Sequence, residues 1–352
     1  MRDMLEDSIN RILAEQVTPE ILKAAEDGAW QASLHRLLDD GGFTRAVASE
    51  RFHGVGASWD DAFPIVFASG RYALPLAVPE SLAACWLLEQ CGMEVPTGNV
   101  SLGEAAADAA LERKESGWRM NGRIRNVGWG RQADYVVASI LHQDAERIVL
   151  IDRRLGTVKP GHNIAREARD EVAFSHAEVL ACAPRADDVP VDAVRVMGAL
   201  MRAGQLAGAM DRVVELCVRY ANDRIQFGKP IGKFQAIQQQ LAVLASQSAS
   251  VGAAAEYAFT RTAQGHAGFA TACAKQLASE VAGNAAAIAH AVHGAIGFTY
   301  EHTLHYLTRR LWAWRSEFGT HTHWAAKIGQ QICAGGGASL WPTLTAESVV
   351  AA

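Results

Sequence analysis

Arg224 and Phe227 stand three residues apart, just before the break Gly228-Lys229-Pro230-Ile231-Gly232 in the stretch Arg219–Ala242, and Phe234-Gln235 follows it. On a helix that spacing puts the guanidinium and the ring on one face. A guanidinium forks onto a phosphate, and an aromatic ring beside it covers an adenine or flavin face. Read alone, the pair also suits an interhelical loop with a surface ion pair, the commoner use of such residues. Glu317 is a second candidate. It lies in Glu317-Phe318-Gly319-Thr320, among Trp312, Trp314 and Trp324. A carboxylate between aromatic neighbours has its pKa raised and can act as a base. With Arg309, Arg310 and Arg315 close in sequence, it can equally be an ordinary ion pair at a helix end.

Other chemistries find less support. His302 and His305 sit three apart and His321 and His323 two apart, but no carboxylate pair completes a ligand set, so no metal is expected. Gly128-Trp129-Gly130-Arg131-Gln132-Ala133 fits the loose dinucleotide pattern GxGxxA, yet a strand-like segment follows it where a helix is required, which excludes a Rossmann site. The six cysteines (85, 91, 182, 217, 273 and 333) form no CxxC pair and suit reduced, mostly buried thiols in a cytoplasmic protein. A net charge of −5 argues against nucleic-acid binding. The most apolar stretch, Val281 to Phe298, carries Asn284, His290 and His293, and is expected to be a buried helix rather than a membrane segment.

These residues are positioned by three predicted regions. Residues 1–95 read as an N-terminal helical domain: Met4, Ile9, Ile12 and Leu13 recur at helical spacing, Leu34, Leu37 and Leu38 form another stripe, and Asp60 or Asp61 is placed to cap the helix that follows. Residues 96–190 read as a small β-barrel or sandwich, with strands at Tyr135–Leu141, Ile148–Ile151 and Val172–Phe174 and a hairpin turn at Asn121-Gly122. Residues 191–352 read as a C-terminal four-helix bundle with an irregular tail from Cys333. The fold class is therefore mainly α with a central β domain.

Three stretches together resemble the acyl-CoA dehydrogenase family: RYANDRIQFGKPIGKFQAIQQQLA (219–242), HGAIGFTYEHTLHYLTRR (293–310) and GWRMNGRIRNVGWGRQADYVVAS (117–139). The first looks like the family's RxxFG…FQ segment, the second like its GGxGF segment, and the third like its hairpin before an Ala-Asp strand. The resemblance covers nearly the whole chain, and the order of the three regions agrees with it. It implies FAD bound between subunits and α,β-dehydrogenation of an acyl-CoA thioester, with electrons passing to an electron-transfer flavoprotein. By position it implies FAD contacts from Arg224, Phe227, Gln235, Gly294 and Thr320, and a base at Glu317. It also implies a homo- or hetero-oligomer, a dimer or tetramer.

The chain departs from the family pattern where catalysis is concerned. The family's glutamate directly precedes the Gly-Thr pair of the final loop; here Phe318 precedes Gly319-Thr320, and Glu317 is one residue earlier, about 100° of helix rotation away. Relatives that carry the acid on the first long helix of the last domain have it near Met197-Gly198, where this chain has none. Ser101-Leu102-Gly103-Glu104 stands in place of the TEP…GSD segment, and Ala291 in place of the usual Gln before GGxGF. Two readings within the family follow: an active dehydrogenase using Glu317, or a non-catalytic, FAD-site-forming subunit of a heterotetramer with a longer homologue. A flavin oxidase or monooxygenase on the same scaffold, or a flavin-free structural bundle, are the remaining alternatives.

Overall fold

The computed structural model describes residues 1–345. Five helices open the chain: α1 (Arg2–Gln16), α2 (Pro19–Glu26), α3 (Ala32–Asp40), α4 (Trp59–Arg71) and α5 (Val78–Gln90). α1 buries Leu5, Ile9 and Leu13, a four-residue recurrence that lays one stripe against α4. α2 starts where Pro19 presets φ, and the Thr18 hydroxyl accepts a hydrogen bond from the Ile21 N–H. The cap of α4 is Ser58, whose Oγ accepts from the Asp61 N–H at 3.1 Å; Asp60 and Asp61 instead fill the first turn, where negative charge meets the positive helix end.

The middle of the chain forms an eight-stranded mixed sheet: β1 (Val100–Leu102), β2 (Glu104–Ala105), β3 (Ala110–Lys114), β4 (Gly117–Gly128), β5 (Tyr135–His142), β6 (Ala145–Asp152), β7 (Gly156–Lys159) and β8 (Arg169–Pro184). The path runs β1-β5-β6-β8-β4-β2, with β3 on β4 and β7 on β8; only β1–β5 is parallel. β8 holds the sheet together, because its first half pairs with β4 and its last residues pair with β6. Met120, Ile124, Val136, Val149, Val172 and Phe174 form the sheet's own apolar core. Asn121-Gly122 is not the hairpin turn expected from its sequence. The β3–β4 turn falls at Glu115-Ser116, and Gly122 lies inside β4 at a register shift. There its φ of +101° and the Asp108 carbonyl, 2.2 Å from where a Cβ would sit, demand glycine.

After Pro184 the chain is helical again: α6 (Ala193–Asp223), a two-stranded hairpin β9 (Ile225–Gln226) and β10 (Lys229–Pro230), α7 (Gln235–Ala263), α8 (Ala267–His293), α9 (Leu304–Trp314), α10 (His321–Gly335) and α11 (Leu340–Thr345). α6 is the axis of this part, packing against α4, α7, α8 and α9. α8 is long and apolar enough to cross a membrane by length and composition, and its apolar stripe packs on α6 and α7. The tail expected to be irregular from Cys333 continues α10 to Gly335 and adds α11; residues 346–352 of that expectation lie outside the described residues.

The α4–α6 crossing rests on two glycines. A Cβ on Gly208 would stand 1.9 Å from the Phe67 carbonyl oxygen, and one on Gly70 would stand 2.0 Å from that of Gln205. Both obstacles are backbone, so no rotamer change relieves them. Gly208→Ala should therefore destabilise the chain by about 1–3 kcal/mol, despite the better helix propensity of alanine. A urea midpoint equal to that of the wild type would show that the two helices can part at no cost.

Candidate functional site

Arg224 caps α6, and its carbonyl accepts the Ile231 N–H at 2.8 Å, which closes the hairpin. The hairpin's two central residues, Phe227 (φ +52°) and Gly228 (φ +78°), are both left-handed, as a two-residue turn between twisted strands requires. Glycine adopts this conformation freely; a phenylalanine does not. Phe227 is 92% exposed, so the turn displays an aromatic ring that the chain itself does not cover. Gln235 opens α7 and is exposed on the same end. Tyr220, one turn before Arg224, stacks on His293 with centroids 4.5 Å apart, which brings the end of α8 alongside. Gly294 follows with φ +64° and ψ −145°, a conformation essentially reserved to glycine, and the space beside it is open. Arg224, Phe227, Gln235 and Gly294 thus gather at one end of the bundle. Among the described residues the Arg224 side chain has no ion pair. An unpaired guanidinium, a displayed ring, an amide and a backbone open to close approach suit a phosphate-linked aromatic ligand such as FAD.

Thr320 is elsewhere. It borders a cleft of about 410 Å³ with Glu104, Asn126, Arg195, Phe318 and His323, between the sheet and the start of α6. Its hydroxyl accepts from the His323 N–H at 3.3 Å and so caps α10. Arg195 and Arg224 mark the two ends of α6, which at about 1.5 Å per residue lie roughly 43 Å apart. The residues expected to hold one cofactor therefore form two groups at opposite ends of α6, each open to solvent.

Between these ends lies a buried ion-pair network that joins all three regions. Glu317 on the final loop accepts from Asn163 Nδ2 at 2.8 Å, Arg169 Nε at 3.1 Å and Arg202 Nε at 2.7 Å. Arg202 also donates to Glu80 of α5 and to Gln205. Glu167 receives Asn163 and Trp314 Nε1, each at 2.8 Å, and pairs with Arg169 at 3.1 Å and Arg310 at 3.2 Å. Three carboxylates face three guanidiniums, so the network carries no net charge. Burial pushes the Glu317 carboxyl up, but the Arg169 and Arg202 guanidiniums outweigh it and bring the group down to about 2. Glu80 is likewise held below the usual range, its burial penalty overcome by Arg202 and Arg169. A carboxylate so engaged on both oxygens is a poor proton acceptor. This geometry fits an anchor better than the base expected from the sequence.

The neighbouring positions are apolar. Phe318 adopts φ +53° and is buried, and its ring packs on α6 where Gly198 leaves room; a Cβ there would lie 2.3 Å from Phe318 Cδ1. The loop position and the helix position that the resemblance offers for an acid thus meet in space, and both are filled by hydrocarbon. Arg202 lies 5.4 Å from the Phe318 centroid, over the ring. Sequence reasoning missed Glu80 of α5, Asn163, Glu167 and Arg169 of the segment that leads into β8, and Arg202 of α6. The one available signal was Arg202, flanked by Met201 and Ala203 on an otherwise apolar stretch of α6.

The family model described as "Acyl-CoA dehydrogenase, C-terminal domain" matches residues 196–332. The chain is 29% identical over 315 residues to acyl-CoA dehydrogenase IpdE2 of Mycobacterium tuberculosis, covering 88% of this chain and 90% of that protein. Its fold is shared with a chain of the ChsE4-ChsE5 complex from Mycobacterium tuberculosis (TM-score 0.84, 20% identity, 94% of this chain and 96% of that one). It is also shared with PigA in complex with FAD and proline (TM-score 0.81, 17% identity, 95% of this chain and 98% of that one).

Proposed function

Because the chain belongs to the acyl-CoA dehydrogenase family, we propose that it is an FAD-site-forming subunit of a heteromeric acyl-CoA dehydrogenase whose base comes from a longer homologue. The observation that carries this reading is the packing of Phe318 on Gly198, which leaves hydrocarbon at both positions where relatives hold an acid. The ligation of Glu317 by Arg169, Arg202 and Asn163 supports it, since the nearest carboxylate is committed to structure. The similarity in fold to a chain of the ChsE4-ChsE5 complex supports a mixed assembly.

FAD, when bound, supplies the acceptor for the hydride that leaves the β carbon of an acyl-CoA thioester. This chain's part is to bind and orient. Arg224 offers its guanidinium to a phosphate, Phe227 offers its ring to an adenine face, and Gln235 and Gly294 complete that half-site. Thr320 belongs to the half-site at the far end. A second chain must complete each group, because roughly 43 Å of helix separates them within one chain. Electrons leave to an electron-transfer flavoprotein, and the complex is cytoplasmic.

The deciding experiment is a visible spectrum of the chain purified alone and co-expressed with a longer homologue. The expected result is little flavin absorbance alone, restored flavin in the complex, and bleaching of the complex by an acyl-CoA. A lone chain that is yellow and dehydrogenates an acyl-CoA at full rate would sink the proposal and return the role of base to Glu317.

A further inference from the structure

Lys275 on α8 is fully buried and has no carboxylate partner among the described residues. Its Nζ donates to Ser279 Oγ at 2.8 Å, to the Arg315 carbonyl at 3.1 Å and to the Gly319 carbonyl at 2.9 Å. An ammonium has three protons, and each finds one acceptor. Two of those acceptors are backbone carbonyls at either end of the turn that follows α9. That turn contains two consecutive left-handed residues, Phe318 at φ +53° and Gly319 at φ +101°. The first costs energy for any side chain, so the turn persists only where its surroundings hold it. On the far side, Trp324 Nε1 donates to the Phe318 carbonyl at 3.1 Å. A buried cation facing only carbonyls and a hydroxyl is expensive to keep. A methionine would fill the same volume without that cost.

We propose that Lys275 is a positioning residue that pins the 315–319 turn through its three donated hydrogen bonds, and thereby sets where Phe318 and Thr320 stand at the edge of the cleft. The pin itself is a property of this chain's geometry; its consequence for a cofactor rests on the half-site reading above. The charged groups that act on Lys275 are Glu317 and Arg315 from the turn and Arg202 from α6. Burial lowers its pKa to about 7, with Glu317 opposing and the two arginines assisting. Above neutrality the amine keeps two protons, one acceptor loses its donor, and the turn loosens. The sign for the whole chain is opposite: between about 7 and the ordinary lysine value the unfolded state binds the extra proton, so global stability rises there. A loosening turn within a stabilised chain is a signature that general unfolding cannot mimic.

The test is amide hydrogen exchange of the full chain, which needs no flavin and so separates this proposal from the flavin reading. In the wild type, the amides of 316–320 should lose about tenfold protection as pH rises through neutrality, after correction for intrinsic exchange, while core amides of α8 hold theirs. Lys275→Met should show the fast turn at all pH values, with no pH step. Ser279→Ala removes one acceptor from the charged form and should move the step to lower pH; it decides the matter if Lys275→Met does not fold. A wild-type turn whose protection ignores pH, a Lys275→Met turn as protected as the wild type, or a step that Ser279→Ala leaves in place would overturn the proposal.

Discussion

Arg202→Met should cost the folded chain about 3–5 kcal/mol, the usual penalty for removing one member of a buried ion-pair network. Arg202 is 1% exposed and bonds Glu80, Gln205 and Glu317 at once. Methionine approximates its stem and so loses little packing, but Glu80 and Glu317 would keep their charge with only Arg169 left to offset it. Because these partners lie on α5 and on the loop after α9, the loss should also loosen the contact between the N-terminal helices and the final loop. Denaturant titration by circular dichroism measures the cost. A change under about 1 kcal/mol would mean that solvent reaches the network and screens it as it screens a surface pair.

The sequence carried the scaffold because periodicity and turn chemistry are local. The long helices, the strands at Tyr135–His142 and Ala145–Asp152, and the break after Asp223 all follow from spacing and from glycine and proline. Asn121-Gly122 misled for a physical reason. The same left-handed freedom that makes a hairpin turn also makes a bulge, and only the close approach of the Asp108 backbone decides between them. The site was half legible. Arg224, Phe227 and Gly294 announce themselves through residue type and neighbouring glycines, but no spacing reveals that Thr320 lies at the other end of α6. The network was invisible for the same reason: Glu80, the segment from Asn163 to Arg169, Arg202 and Glu317 are far apart in sequence, and nothing in their spacing shows that packing encloses them together. Trp314 shows the limit well. Beside Glu317 in sequence it suggested a carboxylate with a raised pKa, yet its indole N–H goes to Glu167, and the guanidiniums of Arg169 and Arg202 drive Glu317 the other way.

Glu317→Gln should lower stability at neutral pH by about 3 kcal/mol, the free energy equivalent of a carboxyl brought from its ordinary range to about 2. A carboxyl depressed in the folded state contributes stability above its unfolded pKa, and that contribution fades as pH falls toward the folded value. The wild type should therefore lose this increment between about pH 5 and pH 2, while the glutamine variant lacks that part of the slope. The gap between the two unfolding curves should narrow as pH falls through 2, where the wild-type side chain is half protonated, and be smallest below it. Glutamine keeps an oxygen for Asn163 and Arg169 but turns its NH2 donor toward Arg202 Nε, so the difference contains the lost acceptor as well as the lost charge. The same variant also separates the two readings of this residue. A base contributes to the rate and little to stability, so Glu317→Gln would then silence a dehydrogenase and leave its unfolding midpoint almost unchanged. An anchor does the reverse: the midpoint drops, and a complex whose base lies on the partner subunit keeps its turnover at temperatures where the variant remains folded. Measuring unfolding against pH and turnover of the co-purified complex on one variant thus decides whether the carboxylate one residue from the family's position is a displaced catalyst or the counter-ion of Arg169 and Arg202.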